Sequence, residues 1–490
     1  MRVLEYAVCL VLLASILLWE VPSTQLTDGD DVFQEQLRRL AYSVPYKYTV
    51  YQNGTTYYAE ANQIGLLDDS DSDFAVLMER IVSSDSKIAL HDGTFLLTSQ
   101  WDVANIHNCV LEGSGAATYL SLDDGVDDDL LLIYECSNIA LRNMRLDGNK
   151  AGQAGTIYTV RVDSSNRVTV ENVIVEDGLT DNMAFINSNR IFCRNIWSTA
   201  AANVGVIFDT NCHTIELDGL MSWDEPTAFE VHSSQTSVDH VKAVGDTSWV
   251  GAVRNGYNNT VSHVTSAAPV NGILVDTLAS NCDLDHIILN GVTGDYGIVM
   301  RAQGNIGDCQ LIGSDAVGSV GVLVEADTVK IHDSIIKHFQ SGITTNNDYT
   351  TITNNTCTLC TTYGVTLNVG VNYALVHGNE LRGNTIHGLA FGGGGAGCRM
   401  WNNEGYQTER SGTDTIANGT TSKVVTYSAT GFDYVPAAEH IRIIGLETPT
   451  TDVGTISISD ITATQFTVNV KSDPGASNWD FGWQIIVTPG

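Results

Sequence analysis

The chain of 490 residues carries 24 Lys and Arg against 57 Asp and Glu, a formal net charge of −33. So acidic a surface repels nucleic acid, and it disfavours polyanionic glycans unless Ca2+ bridges carboxylate to carboxylate; neutral glycans fit it better. The length suffices for one large core with small appendages, and the composition is not that of a disordered chain.

In chain order, Met1-Arg2 precedes an uncharged run from Ala7 to Trp19, and Val21-Pro-Ser-Thr closes it. A run of 13 mostly apolar residues suits the core of a signal peptide and is too short for a membrane span. Residues 1–23 therefore read as a signal peptide or hydrophobic anchor, with export expected and no stable span after processing. Residues 24–54 read as a stalk or linker, in which Val32, Phe33, Leu37 and Leu40 recur at roughly helical spacing. From Tyr51 to Leu122 come Tyr58-Ala-Glu-Ala-Asn-Gln-Ile-Gly, Asp73, a short helix over Phe74–Val82, a strand over Lys87–His91, Gly93-Thr-Phe-Leu-Leu and Val110-Leu-Glu-Gly-Ser-Gly.

Residues 138–404 repeat. Segments beginning at Asn189, Asn211, Thr236, Asn259, Asn281, Asn305, Asp327, Thr350 and Tyr373 start 22 to 25 residues apart. Each holds a short apolar strand (Val238, Val261, Leu284, Ile331, Ile352, Leu375). A second strand follows, often opened by Gly, as in Gly205-Val-Ile-Phe, Gly272-Ile-Leu-Val, Gly297-Ile-Val-Met, Gly321-Val-Leu-Val, Gly342-Ile-Thr-Thr and Gly364-Val-Thr-Leu. A fixed period of this size means a stacked repeat, and period-2 alternation leaves no room for a long helix. One unit then makes one turn of a parallel β-helix, and a dozen coils at roughly 4.8 Å give a rod on the order of 60 Å. The Leu-rich consensus of leucine-rich repeats is absent. Loops that leave the coils are expected after Asp147, at Ser222-Trp-Asp-Glu-Pro and at Asp246-Thr-Ser-Trp249.

Two further regularities support the alignment. His240, His263 and His286 stand 23 residues apart, each before an inward apolar residue, and Asn143, Asn172 and Asn195 hold the same place earlier. In-register stacking turns such residues into ladders. Three aligned histidines could also ligate a metal, but one line of side chains gives poor tetrahedral geometry, so no metal is assigned. Cysteine is read as a small buried packing residue, the lone Cys357-x-x-Cys360 included, with bridges such as Cys193 to Cys212 left open. After Ser411 the period stops. Residues 412–490 show short alternating strands separated by turns such as Ser472-Asp-Pro-Gly, which reads as a small antiparallel β-sandwich.

The entry region and the coils, residues 55 to about 405, resemble the pectate-lyase-like superfamily of right-handed parallel β-helices. The resemblance implies an amphipathic helix over the open N-terminal end, where the first coil would otherwise expose strand edges and core. Ser472-Asp-Pro-Gly … Phe481-Gly-Trp-Gln is similar to a module that closes phage and archaeal-virus tailspike and tail-fibre chains, and such terminal sandwiches often trimerise. The catalytic sets of polygalacturonases (Asn-Thr-Asp, Gly-His-Gly, Arg-Ile-Lys) and the clustered Asp and Arg of calcium-dependent pectate lyases are absent, so no catalytic residue is carried over.

Chemistry is sought on the outward positions of the Gly-φ-x-φ-x strands. They read Asp209, His232, Asn255, Asp276, Arg301, Glu325, Asn346 and Asn368, with Glu230 and Trp249 beside them. Glycoside hydrolysis uses two carboxylates roughly 5 to 9 Å apart, which adjacent coils supply; Asp209 with Glu230 is the first pair, Asp276 with His232 the second. Trp223, Trp249, Arg301 and Glu325 are the substrate-binding candidates, and a lyase would combine Arg301 with Ca2+ held by acids. The plainer reading of such a line is solvated surface. The neighbouring outward position is apolar (Ile207, Val253, Leu274, Val299, Leu323), a stripe that on a monomer asks for a cover, by loops or by another subunit of a homotrimer. The expectation is a surface- or virion-exposed all-β rod that recognises a cell-surface glycan. The alternatives are a secreted monomeric polysaccharide hydrolase or lyase and a structural filament protein.

Overall fold

The computed structural model describes residues 46–62, 66–245, 248–392, 396–405, 409–426, 438–446, 448–462 and 464–486. The expected signal segment and the helical stretch at Asp31–Tyr42 lie outside the described residues. The repeat builds a parallel β-solenoid of about 14 turns. Its first sheet runs from Ser86–Leu90 to Arg399–Trp401, its second from Gly93–Leu97 to Thr356–Thr358 and its third from Trp101–Ala104 to His387–Phe391. The Gly-φ-x-φ strands form the third sheet.

Each strand bonds to its equivalent one coil along, so like positions stack. Ile139, Val168, Ile191 and Ile215 lie in register and are all buried. Every coil thus hides the same inward residues, and their removal from water is the main stabilising term. At the first end, helix α1 (Phe74–Ile81) is capped by Asp73, whose carboxylate accepts the Val76 N–H at 3.1 Å. It buries Phe74, Leu77, Met78 and Ile81, and the Phe74 ring meets Phe95 and Trp101 at 4.9 and 5.5 Å. The capping helix is as expected. The cap begins before residue 55, however: Tyr48–Asn53 pairs antiparallel with Thr56–Ala61 and parallel with Ser86–Leu90.

One left-handed residue turns the chain at the corner between the first and second sheets. Asn143, Asn172 and Asn195 hold φ of 55°, 55° and 51° there, and His240, His263 and His286 hold 52°, 48° and 51°. Asn, Asp and His tolerate this region better than other side chains, which is why they recur. Asn195 Nδ2 donates to Asn172 Oδ1 at 3.0 Å, and Asn172 Nδ2 to Asn143 Oδ1 at 3.0 Å. The histidine rings stack with centroids 4.9 Å apart. Both ladders form as the spacing implies.

The third sheet departs from the glycine-based alignment in one coil. Gly251 pairs with Phe229 and Ile273, so it points inward. It is not the equivalent of Gly205, whose place is taken by Val250. A Cβ on Gly251 would lie 2.1 Å from Phe229 Cζ; the glycine makes room for a fully buried ring. Ala252 and Arg254 therefore point outward and Val253 inward, and Asn255 falls beyond a register shift. Gly251→Ala is expected to cost about 1–3 kcal/mol through overpacking against Phe229. A chemical-denaturation midpoint equal to that of the wild type would contradict this packing.

The described cysteines, nine in number, are free and buried. Cys193 and Cys212 are not bridged; the Cys212 sulfur instead accepts the Ser188 N–H at 3.3 Å. Burial pushes the thiols of Cys109 and Cys212 up to about 11, so they stay protonated packing residues. At the other end lie two three-stranded antiparallel sheets. Glu409–Ile416, Trp479–Ile486 and Ile441–Gly445 form one; Ser422–Thr426, Gln465–Val470 and Ile456–Ser459 form the other. Ile416, Phe466, Val468, Phe481 and Ile485 fill the space between them, which makes the expected sandwich.

Candidate functional site

The outer face of the third sheet carries three lines of side chains. The middle line runs Arg161, Ala184, Ile207, Glu230, Ala252, Leu274, Val299, Leu323 in unbroken register. From Ala252 on it is apolar but not exposed: Ala252, Leu274, Val299 and Leu323 are at most 8% exposed and pack with Trp249, Tyr296 and Val320 from the line beside it. The Trp249 and Tyr296 rings lie 2° from parallel with centroids 6.5 Å apart. The stripe expected to need a cover, by loops or by another subunit, is thus covered within the chain, and Ala252, not Val253, belongs to it.

The third line, joined by Glu230 of the middle line, forms an ion-pair ladder. His232 Nε2 lies 3.1 Å from Glu230 Oε2. Arg254 reaches Glu230 Oε1 through Nη2 at 3.0 Å and Nε at 3.3 Å, and its Nη1 stands 3.7 Å from Asp276. Arg301 stands 3.9 Å from Asp276 and donates through Nε to Glu325 at 2.7 Å. Burial pushes the Glu230 carboxyl up, but hydrogen bonds from His232 and Arg254 outweigh it and hold the group below the usual range. Arg254 was missed from sequence because the coil holding Gly251 was read one residue out of register, which put Asn255 in its place.

Toward earlier coils a second set of acids joins the face. Asp181 is 3% exposed. Burial pushes its carboxyl up to about 6, and the charges of Glu230 and Asp209 add to this, against hydrogen bonds from Asn203 Nδ2 and the Val204 N–H, both 2.9 Å. Asp129 is likewise pushed up to about 6 by burial; it accepts the Tyr158 N–H at 2.9 Å and lies 3.9 Å from Arg161. Arg161 also binds Asp163 at 2.8 Å. Burial, then the charges of Asp181 and Asp129, raise the Tyr158 hydroxyl. Nothing in the residues next to Asp181 marks it, because its burial comes from adjacent coils. Asp129, Tyr158 and Arg161 precede the coils in which the repeat is regular.

Of the sequence candidates, Glu230, His232, Asp276, Arg301 and Glu325 form one ladder, Trp249 borders it, and Asp209 stands one coil before His232 in the same line, close enough to act on Asp181. Trp223 does not join them: it ends the strand His213–Trp223, which serves the first and second sheets, and is 52% exposed there. Ca2+ was a possible partner of these acids. Glu230, Asp276 and Glu325 each face a guanidinium group, a donor set unlike the roughly six to eight oxygens that the ion takes.

No family model and no curated protein matches the chain. Among solved structures it is similar to the tailspike protein of E. coli bacteriophage HK620 in complex with a pentasaccharide, at 11% identity and a TM-score of 0.52, over 82% of this chain and 87% of that one. The likeness shows the fold alone, a parallel β-helix. The N-terminal fragment of bacteriophage Phi29 gene product 12 shares this β-helix, at 15% identity and a TM-score of 0.51, over 65% of this chain and 68% of that one. Within such a β-helix the outer face of a sheet is a long, regular surface, and here the third sheet is where charge, aromatic rings and buried acids coincide.

Proposed function

We propose that this β-helix recognises a neutral cell-surface glycan along the outer face of its third sheet, as an extracellular or virion-surface rod of tailspike kind, assembled as a homotrimer. The observation that carries the reading is the ladder Glu230–Arg254–Asp276–Arg301–Glu325 with Trp249 and Tyr296 alongside. Each coil, roughly 4.8 Å from the next, presents a fixed polar group that can exchange hydrogen bonds with sugar hydroxyls, and the rings offer apolar surface to sugar C–H faces. Three carboxylates face two guanidinium groups, so the face has no surplus positive charge with which to draw a polyuronate. The likeness to a tailspike determined with a pentasaccharide supports the same reading.

The test is a titration of the purified chain with a panel of neutral and anionic polysaccharides. Saturable binding to a neutral glycan, weakened at least tenfold by Arg301→Ala, is expected. Binding to polyuronates alone, or to nothing in the panel, would sink the proposal. Light scattering with and without residues 412–490 tests the trimer, which a monomer in both forms would exclude.

A second reading, hydrolysis of the bound glycan, is favoured by one contrast. Glu230 is held ionised while Asp181 holds its proton up to about pH 6, and acid and base roles arise where neighbouring carboxyls are driven apart in this way. Reducing ends released by the wild type and not by Glu230→Gln, with binding retained, would establish it.

A further inference from the structure

The corner histidines hold a second site, away from the third sheet. His240, His263 and His286 stack at 4.9 Å centroid spacing on successive coils, and their side chains are 60%, 49% and 49% exposed. Each ring is anchored from behind by a carboxylate. His240 Nδ1 lies 2.9 Å from Asp218, His263 Nδ1 2.8 Å from Asp239 and His286 Nδ1 2.7 Å from Asp285. A carboxylate accepts hydrogen bonds, so in the neutral ring it selects the tautomer with the proton on Nδ1 and the lone pair on Nε2.

A carboxylate on one ring nitrogen with the other free is the arrangement that metal-binding histidines adopt. Three such imidazoles in a row differ from a solvated ladder in that every ring has a carboxylate at the same nitrogen, Nδ1. The next corner residue, Asp308, adds a carboxylate beside His286 and Asp285, all donor atoms lying within 4.8 Å of one another. We propose that His240, His263 and His286 bind a borderline divalent transition-metal ion, of the class of Zn2+, Ni2+ and Cu2+, between Nε2 atoms of neighbouring coils. Metal–nitrogen bonds of roughly 2.0–2.1 Å bring two ligand nitrogens to about 3.3 Å, so a pair of exposed rings leans together about its Asp anchors while water completes the shell. Imidazole selects these ions over Ca2+ or Mg2+, which take oxygen. The bound ion ties consecutive coils together at their corner.

The experiment is calorimetric titration of the full chain with ZnCl2 at pH 7.5, repeated with CaCl2 as competitor. The variants are His263→Asn, which breaks both neighbouring pairs, and the triple change His240→Asn, His263→Asn, His286→Asn. Asparagine already fills this corner at Asn143, Asn172 and Asn195 with the same backbone conformation, so the coils keep their turn, and melting without metal verifies it. The wild type is expected to bind Zn2+ saturably and indifferently to Ca2+. His263→Asn should bind at least tenfold more weakly, and the triple variant should lose the site. Equal Zn2+ affinity in the wild type and the triple variant would overturn the assignment. So would displacement by equimolar Ca2+, which would put the ion on the carboxylates alone.

Discussion

Glu225→Ala is expected to destabilise the β-helix by about 2–5 kcal/mol near pH 5, the cost of opening a cavity and of removing the acceptor in a buried hydrogen-bond network. Glu225 is fully buried in the connector that leads into the third-sheet strand Thr227–Val231. Its Oε1 accepts from Ser198 Oγ at 2.5 Å and Asn182 Nδ2 at 3.0 Å, and its Oε2 from Ser222 Oγ at 2.5 Å. Gly205 leaves the room: a Cβ there would lie 2.2 Å from Oε2. Alanine removes the acceptor that these three donors share and opens a cavity. Burial pushes the Glu225 carboxyl up to about 7, against the hydrogen bonds from Ser198, Ser222 and Asn182. The folded value thus lies above the unfolded one near 4.5, so folding takes up a proton between those two values. Stability from this group is full below about pH 4.5 and is lost as pH rises toward 7, by about 3 kcal/mol in all. Glu225→Gln should remove that slope and be at least as stable as the wild type at pH 8. Urea midpoints of both proteins from pH 4.5 to 8 check this; parallel curves would show that the group titrates alike folded and unfolded.

Arg254→Ala is expected to weaken the proposed glycan binding about tenfold or more. The guanidinium is the link between Glu230 and Asp276, and the Glu230 side chain is 14% exposed. Without Arg254 the Glu230 carboxylate keeps only His232, and its carboxyl should rise from its lowered position. Because Arg254 is itself about one-third exposed, the stability loss is put at only about 1–2 kcal/mol; the affinity loss comes from a displaced binding face, at about 1.4 kcal/mol per tenfold. Lysine should not rescue it, since a single ammonium cannot contact Glu230 through two nitrogens and reach Asp276 as well. Binding isotherms and melting curves on the same preparations separate the two effects. Unchanged affinity with lowered stability would confine Arg254 to a structural role.

Much of the architecture follows from local sequence. A period of 22 to 25 residues with alternating apolar positions leaves each coil only one partner for its inward side chains, the next coil, and that determines a parallel solenoid. Corner residues are equally legible, because a left-handed turn selects Asn, Asp, His or Gly wherever it falls. The site is another matter. Gly251 reads locally as the start of a strand; it points inward because the Phe229 ring from the previous coil occupies its space. That one-residue shift moves Arg254 to the surface and Val253 to the core. The apolar stripe reads as exposed until Trp249 and Tyr296, two coils apart, are seen to cover it. Asp181 and Glu225 look like ordinary acids in sequence, and acquire their proton affinity from burial between coils and, for Asp181, from the charges of Glu230 and Asp209. Period and turn conformation are properties of neighbouring residues, so the sequence determines them by itself. Lateral register, coverage and desolvation depend on which side chains adjacent coils press together, and only the tertiary structure decides those.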